Sequence, residues 1–224
     1  MKLVITCEHG GNAIPLEYKP YFLDTSVLKT HKGYDLGALD VFNYLKPIAD
    51  YSNFSTTSRL LIELNRSTNN KNLFSAYTKT LTTKQKQSLI NTYYNDYRQA
   101  VTKYIASIIN NNLSVVHLSI HSFTPVLNNA IRDCDIGLLY DSRRIQEKQY
   151  AMSFKKNILA LNPEYRVRFN YPYLGKADGF TTALRQQFKN NYIGIEVEIN
   201  QSFAVNNKMP EKLKHVLKQS IINF

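Results

Sequence analysis

A few side chains in this sequence have the chemistry to hold a cation or move a proton. His9 leaves the apolar run Leu3-Val4-Ile5 through Thr6-Cys7-Glu8-His9-Gly10-Gly11-Asn12, where two glycines let the backbone turn sharply. His121 ends a second apolar run, Leu113 to Ile120, and Glu196 and Glu198 lie in a third, Tyr192 to Ile199. Asp35 stands at the start of a helical pattern. Two imidazoles, one carboxylate and an open position are the usual makeup of a catalytic zinc site. A carboxylate outside the ligand set can then act as general base toward water. Glu198 is placed for that role, and Glu196 shares its face by the period of two. Two carboxylates on one face of a buried strand need a cation or an Arg nearby, whereas an edge strand would leave them in water.

The remaining histidines sort by spacing. His117 and His121 are four residues apart on one expected strand, about 13 Å between Cα atoms at roughly 3.3 Å per residue, too far to share one ion. His121 is the ligand and His117 a hydrogen-bonded interior imidazole. Gly33 between His31 and Asp35 favours a turn, so Asp35 is the expected ligand and His31 a nearby polar contact. A capping role at the following helix competes for Asp35. The competing reading of the 6–12 stretch is a strand-end loop with a solvated Glu8–His9 pair. Asn65-Arg66 offers a planar bidentate fork and an added donor for a substrate carboxylate. Arg59, Arg132 and Arg185 are weaker candidates of that kind.

These groups need a scaffold that brings strand ends together. Leu3–Ile5, Ser58–Leu64, Leu113–Ile120, Cys134–Tyr140, Val167–Tyr171 and Tyr192–Ile199 read as strands. Helical patterns run from Leu36, from Thr82 or Thr83 to about Asn110, from Arg143 to Leu161, from Thr181 to Phe188, and after Pro210. Alternation of this kind predicts an α/β fold, a mostly parallel (mixed) central sheet with helices on both faces. Sites in such sheets form at the carboxyl ends of strands.

The 224 residues are 43% hydrophobic, enough for a core and too many for a disordered chain. No apolar run is long enough to span a bilayer, and Glu8 and His9 interrupt any signal-peptide apolar region. A cytoplasmic protein without membrane attachment is expected. The formal net charge of +11 is spread along the chain, which favours a small anionic substrate over nucleic acid. Cys7 and Cys134 supply neither a disulfide framework nor a CxxC metal pair.

Taken in order, Cys7-Glu8-His9-Gly10-Gly11-Asn12 through Pro15, His31-Lys32-Gly33-Tyr34-Asp35-Leu36-Gly37-Ala38, Ser58-Arg59-Leu60, Asn65-Arg66, His121-Ser122-Phe123, Asp178-Gly179 and Glu198-Ile199-Asn200-Gln201 resemble the N-formylglutamate amidohydrolase family. The resemblance implies one domain over residues 1–224 with a phosphorylase/hydrolase-like fold, similar to zinc carboxypeptidases and cell-wall amidases. It implies Zn2+, or another divalent metal, on His9, Asp35 and His121, with Glu198 as acid and base. Asn65 and Arg66 would clamp a substrate carboxylate; beside what the resemblance implies, His31 and Glu196 are expected among the substrate contacts from their places next to Asp35 and Glu198 in the sequence. The implied activity is release of formate from N-formyl-L-glutamate in amino-acid catabolism. Glu63 departs from the Asp of the family pattern. The alternatives are cleavage of a peptide or muropeptide amide and, from another class, a nucleic-acid-binding domain.

Overall fold

A computed structural model describes residues 1–222. The strands are β1 (Lys2–Cys7), β2 (Tyr51–Phe54), β3 (Val115–Phe123), the two-residue pair β4 (Val126–Leu127) and β5 (Ala130–Ile131), β6 (Ile136–Leu139), β7 (Val167–Phe169) and β8 (Tyr192–Asn200). The helices are α1 (Ala38–Leu45), α2 (Thr83–Leu89), α3 (Asp96–Asn110), α4 (Ile145–Leu161), α5 (Phe180–Gln187) and α6 (Glu211–Ile222). Six strands form one sheet in the order β2-β1-β3-β8-β6-β7, and β4 and β5 make a separate hairpin. Every neighbour pair in the sheet is parallel except β6 with β8, so the sheet is mixed and mostly parallel, as expected. No helix among the described residues is long and apolar enough to cross a membrane.

The period of two in the central strands divides the molecule. Ile5 and Cys7 of β1, Val116, Leu118 and Ile120 of β3, and Ile195, Val197 and Ile199 of β8 pack against α1, α4 and α6 in one apolar cluster. The opposite face carries Thr6, Ser119, His121, Glu196 and Glu198, all buried. It is covered by α3, α5 and the segment 58–64, whose Leu61, Ile62 and Leu64 join a second cluster. One face is thus a dry core and the other a buried polar column, and the column holds the chemistry.

Two expectations about elements need correction. Ser58–Leu64 is not a strand. Its apolar residues plug the second cluster from a turn, where Ser58 Oγ donates to the Gly33 carbonyl and Ser75 Oγ to the Leu60 carbonyl. The strand in this region is β2, which the sequence hides because Tyr51-Ser52-Asn53-Phe54 is a half-exposed edge without apolar alternation. The long helix expected from Thr82 starts there, with a reciprocal Thr82–Gln85 capping box. It changes to π geometry over Ile90–Asn95 before α3.

Gly137 in β6 pairs with Glu198 of β8. A Cβ there would collide with the Tyr171 carbonyl oxygen and press on the Glu198 side chain. Gly137→Ala is therefore expected to lower stability by about 1–3 kcal/mol, read as a shift in urea midpoint. An unchanged midpoint would show that this strand is not confined by the 170–175 loop.

Candidate metal centre

Each expected ligand is delivered by a different device. His121 lies inside β3, two residues before its end, and is paired with Glu198 in register. His9 follows β1 in a turn tied by Gly10 N–H to the Ser55 carbonyl beyond β2. Asp35 is fixed to that turn by its own N–H, which donates to the His9 carbonyl. Asp35 does not cap α1. Gly37, at φ +76°, precedes the helix and swings the chain so that the Asp35 carboxylate faces His9 and His121 instead.

The three donor atoms lie within 4.8 Å of one another, and all three residues are buried. Asp35 Oδ2 is 2.9 Å from His121 Nδ1 and 3.4 Å from His9 Nδ1. Arg59 holds the other Asp35 oxygen at 3.1 Å. His9 Nε2 is hydrogen-bonded to Glu63 Oε1, and Arg59 grips Glu63 Oε2 through Nε at 2.9 Å and Nη2 at 2.6 Å. Arg59 thus ties the carboxylate behind His9 to the carboxylate beside it. Glu63 also accepts from Asn65 N–H at 3.0 Å.

The donor set fits a divalent cation. Glu63 is an acceptor held well below the ordinary carboxylate range: burial would raise it, and Arg59 and His9 outweigh burial. His9 therefore donates from Nε2, and although burial and Arg59 would lower its pKa, Glu63 and Asp35 raise it. Acceptor atoms crowded at such distances repel unless a proton or a cation lies among them. Burial would lower the His121 pKa, yet hydrogen bonds to Asp35 and Glu8 push it well above its usual value. That direction marks a site that draws positive charge. Hard carboxylate and borderline imidazole donors suit zinc and related divalent ions.

These groups open into a cavity of about 280 Å3, whose wall includes His9, Asp35, His121, Asn65, Arg66, Glu196 and Glu198. β8 is interior, so the two glutamates are buried and not on a solvated edge. Glu196 accepts from Thr181 Oγ1 at 2.5 Å. Glu198 Oε2 is buried and has no hydrogen-bond partner among the described residues. Burial lifts the Glu198 carboxyl to about 7, opposed by His121 and reinforced by the Asp35 and Glu196 charges. Arg66 Nη1 donates to the carbonyls of Asn65 and Asp178, and Asn65 Oδ1 accepts from Phe180 N–H at 2.6 Å. Tyr94 and Arg98 hold the Arg66 carbonyl from the helical side.

A family profile described as N-formylglutamate amidohydrolase matches residues 1–205. This chain belongs to the N-formylglutamate amidohydrolase family. Two solved structures share the family member's fold. One is a gene product of Agrobacterium tumefaciens, with TM-score 0.82 at 23% identity, covering 99% of this chain and 91% of that one. The other is an N-formylglutamate amidohydrolase from Ralstonia eutropha, with TM-score 0.75 at 16% identity, covering 99% and 90%. No curated protein matches significantly.

Two site expectations in this family member are corrected. His31 is exposed on the turn before Gly33 and does not line the cavity, because that turn folds outward over Leu28. Glu8 is not solvated. It is fully buried beneath His121. The residues missed as a group are Glu8, Ser119 and Arg59. Ser119 and His121 alternate with His117 on one strand face, a period that was available in the sequence. Arg185 is structural, pairing with Glu147 at 2.9 Å. His117 is the interior imidazole expected, bonded to Thr6 Oγ1 at 2.7 Å and Tyr192 Oη at 2.8 Å.

The raised Glu198 pKa has a stability consequence in metal-free protein. An acid whose folded pKa exceeds its ordinary 4.5 holds its proton more tightly when folded, so stability falls as pH rises from about 4.5 through about 7. Glu198→Gln removes this loss. The variant is expected to gain up to about 3 kcal/mol over the wild type across that window, measured by denaturant unfolding of metal-stripped protein. Parallel pH profiles would contradict the assignment.

Proposed function

We propose that this chain is a zinc-dependent amide hydrolase acting as a single domain on an N-acyl amino acid, N-formyl-L-glutamate foremost. The observation that carries the reading is the convergence of His9, Asp35 and His121 beside Glu198, whose buried Oε2 has no hydrogen-bond partner among the described residues. Membership of an amidohydrolase family supports the reaction class. A divalent cation held by His9, Asp35 and His121 would act as a Lewis acid on the amide carbonyl and make water acidic enough to attack near neutral pH.

The remaining roles fall to the protein. Glu198, in its ionised form, takes a proton from the attacking water. As the C–N bond breaks, it returns that proton to the leaving nitrogen, giving formate and the free amine. A carboxyl lifted to about 7 by burial is suited to both steps. Arg66 is fixed at the wall by its bonds to two carbonyls, which directs the rest of its fork toward an anionic substrate. Asn65, held by Phe180 N–H, and Glu196, held by Thr181, border the same space. The positive net charge adds attraction for a dicarboxylate.

The test is formate release from N-formyl-L-glutamate by zinc-loaded protein. His9→Ala and His121→Ala are expected to lose both bound zinc and activity, and full zinc content in both would contradict the ligand set. Glu198→Gln should keep its zinc while kcat falls roughly 100-fold or more; a rate near that of the wild type would reassign the base. Arg66→Ala is expected to raise KM at least about tenfold with a smaller change in kcat. Faster cleavage of a peptide or muropeptide amide than of the formyl compound would move the substrate class.

A further inference from the structure

We infer that Glu8 is a positioning residue for the cation site: it keeps the His121 proton on Nε2 and so presents Nδ1 as the ligating nitrogen. The inference rests on the cation-site part of the functional reading and not on the substrate.

The argument is an account of protons. Glu8 is wholly buried. Tyr97 Oη donates to its Oε1 at 2.8 Å, and Ser119 Oγ donates to its Oε2 at 2.5 Å. His121 Nε2 stands 3.1 Å from the same Oε2 and 2.9 Å from Ser119 Oγ. Ser119 has one hydroxyl proton and spends it on Glu8, so toward His121 it can only accept. A carboxylate that receives two hydroxyl donors is itself an acceptor. Both close neighbours of Nε2 are therefore acceptors, and the proton belongs on Nε2. The nearest competing donor among the described residues, Asn65 Nδ2, is 3.5 Å away, beyond an effective bond. A neutral imidazole protonated at Nε2 has its lone pair on Nδ1, the atom 2.9 Å from Asp35 Oδ2.

The fold supplies this arrangement directly. β1 and β3 pair in parallel, with Thr6 beside Ser119. Continued by two residues, the same register sets Glu8 beside His121. Together with Glu63 behind His9, a buried carboxylate backs each imidazole, the outer arrangement that orients metal-binding histidines.

Glu8→Gln keeps the shape and changes the protons. Its amide leaves one acceptor oxygen where the carboxylate had two. An NH2 turned toward Ser119 and His121 moves the His121 proton to Nδ1 and blocks the ligating atom, whereas one turned toward Tyr97 leaves His121 as it was, so Glu8→Leu, with no acceptor in any orientation, is the decisive variant. The test is long-range 15N–1H NMR on 15N-histidine-labelled protein, with zinc competition titrations. Zinc-loaded wild type should show His121 protonated at Nε2 and ligating through Nδ1. Glu8→Leu should bind zinc roughly tenfold to hundredfold more weakly and lose the fixed Nε2 proton on His121 without zinc, while Tyr97→Phe changes affinity less. Ligation through Nε2 in the wild type overturns the inference by itself, even if Glu8→Leu does not fold. Equal zinc affinity with an unchanged tautomer in a folded Glu8→Leu also overturns it. Failure of the wild type to take up zinc removes this inference and the metal-based function together. Zinc uptake without formate release, with the expected tautomer, supports the inference and removes only the substrate.

Discussion

Asp35 Oδ2 and the Nδ1 atoms of His9 and His121 meet in a buried space. Little in the surrounding structure makes physical sense without a positive charge at that point. Isolated buried anions are expensive, and several carboxylates, Glu8, Asp35, Glu63 and Glu198, are buried close to this centre. Arg59 answers part of that charge by bridging Asp35 and Glu63. The hydroxyls of Tyr97 and Ser119 answer another part at Glu8. What is left over is local to the meeting point of the three ligands.

Such a cluster is a liability for stability unless each member is oriented by a partner. The protein meets this with a sheet of two characters. One face of β1, β3 and β8 is an ordinary apolar core against α1, α4 and α6. The other holds polar side chains under α3, α5 and a buried loop. Each candidate ligand is held from behind: His9 by Glu63, His121 by Glu8, and Asp35 by Arg59. Glu198 is the exception. Its Oε2 has no hydrogen-bond partner among the described residues, an unrelieved cost in the folded state.

Much of this was legible in sequence because it depends on period and order. The runs at β1, β3, β6 and β8 follow from apolar periodicity; His9, His121 and Glu198 stand at or near their ends, and Asp35 at the start of a helical pattern, and the structure brings these four side chains to one cavity. The failures share one cause: local apolarity does not say whether a segment pairs or plugs. Leu60-Leu61-Ile62 is apolar because it is buried, yet its backbone turns, while the true edge strand Tyr51–Phe54 is too polar to stand out. His31 misled through its nearness to Asp35 in sequence, since a turn between them sends the imidazole outward. Glu8 looked solvated because a carboxylate next to His9 has no visible partner until β3 is laid beside β1 in register.

The most direct measurement is anomalous X-ray scattering from crystals of the zinc-loaded protein. The account predicts one zinc peak, about 2.0–2.2 Å from His9 Nδ1, His121 Nδ1 and an Asp35 oxygen. A zinc peak elsewhere, or none at this point with the three side chains still hydrogen-bonded to one another, would contradict it.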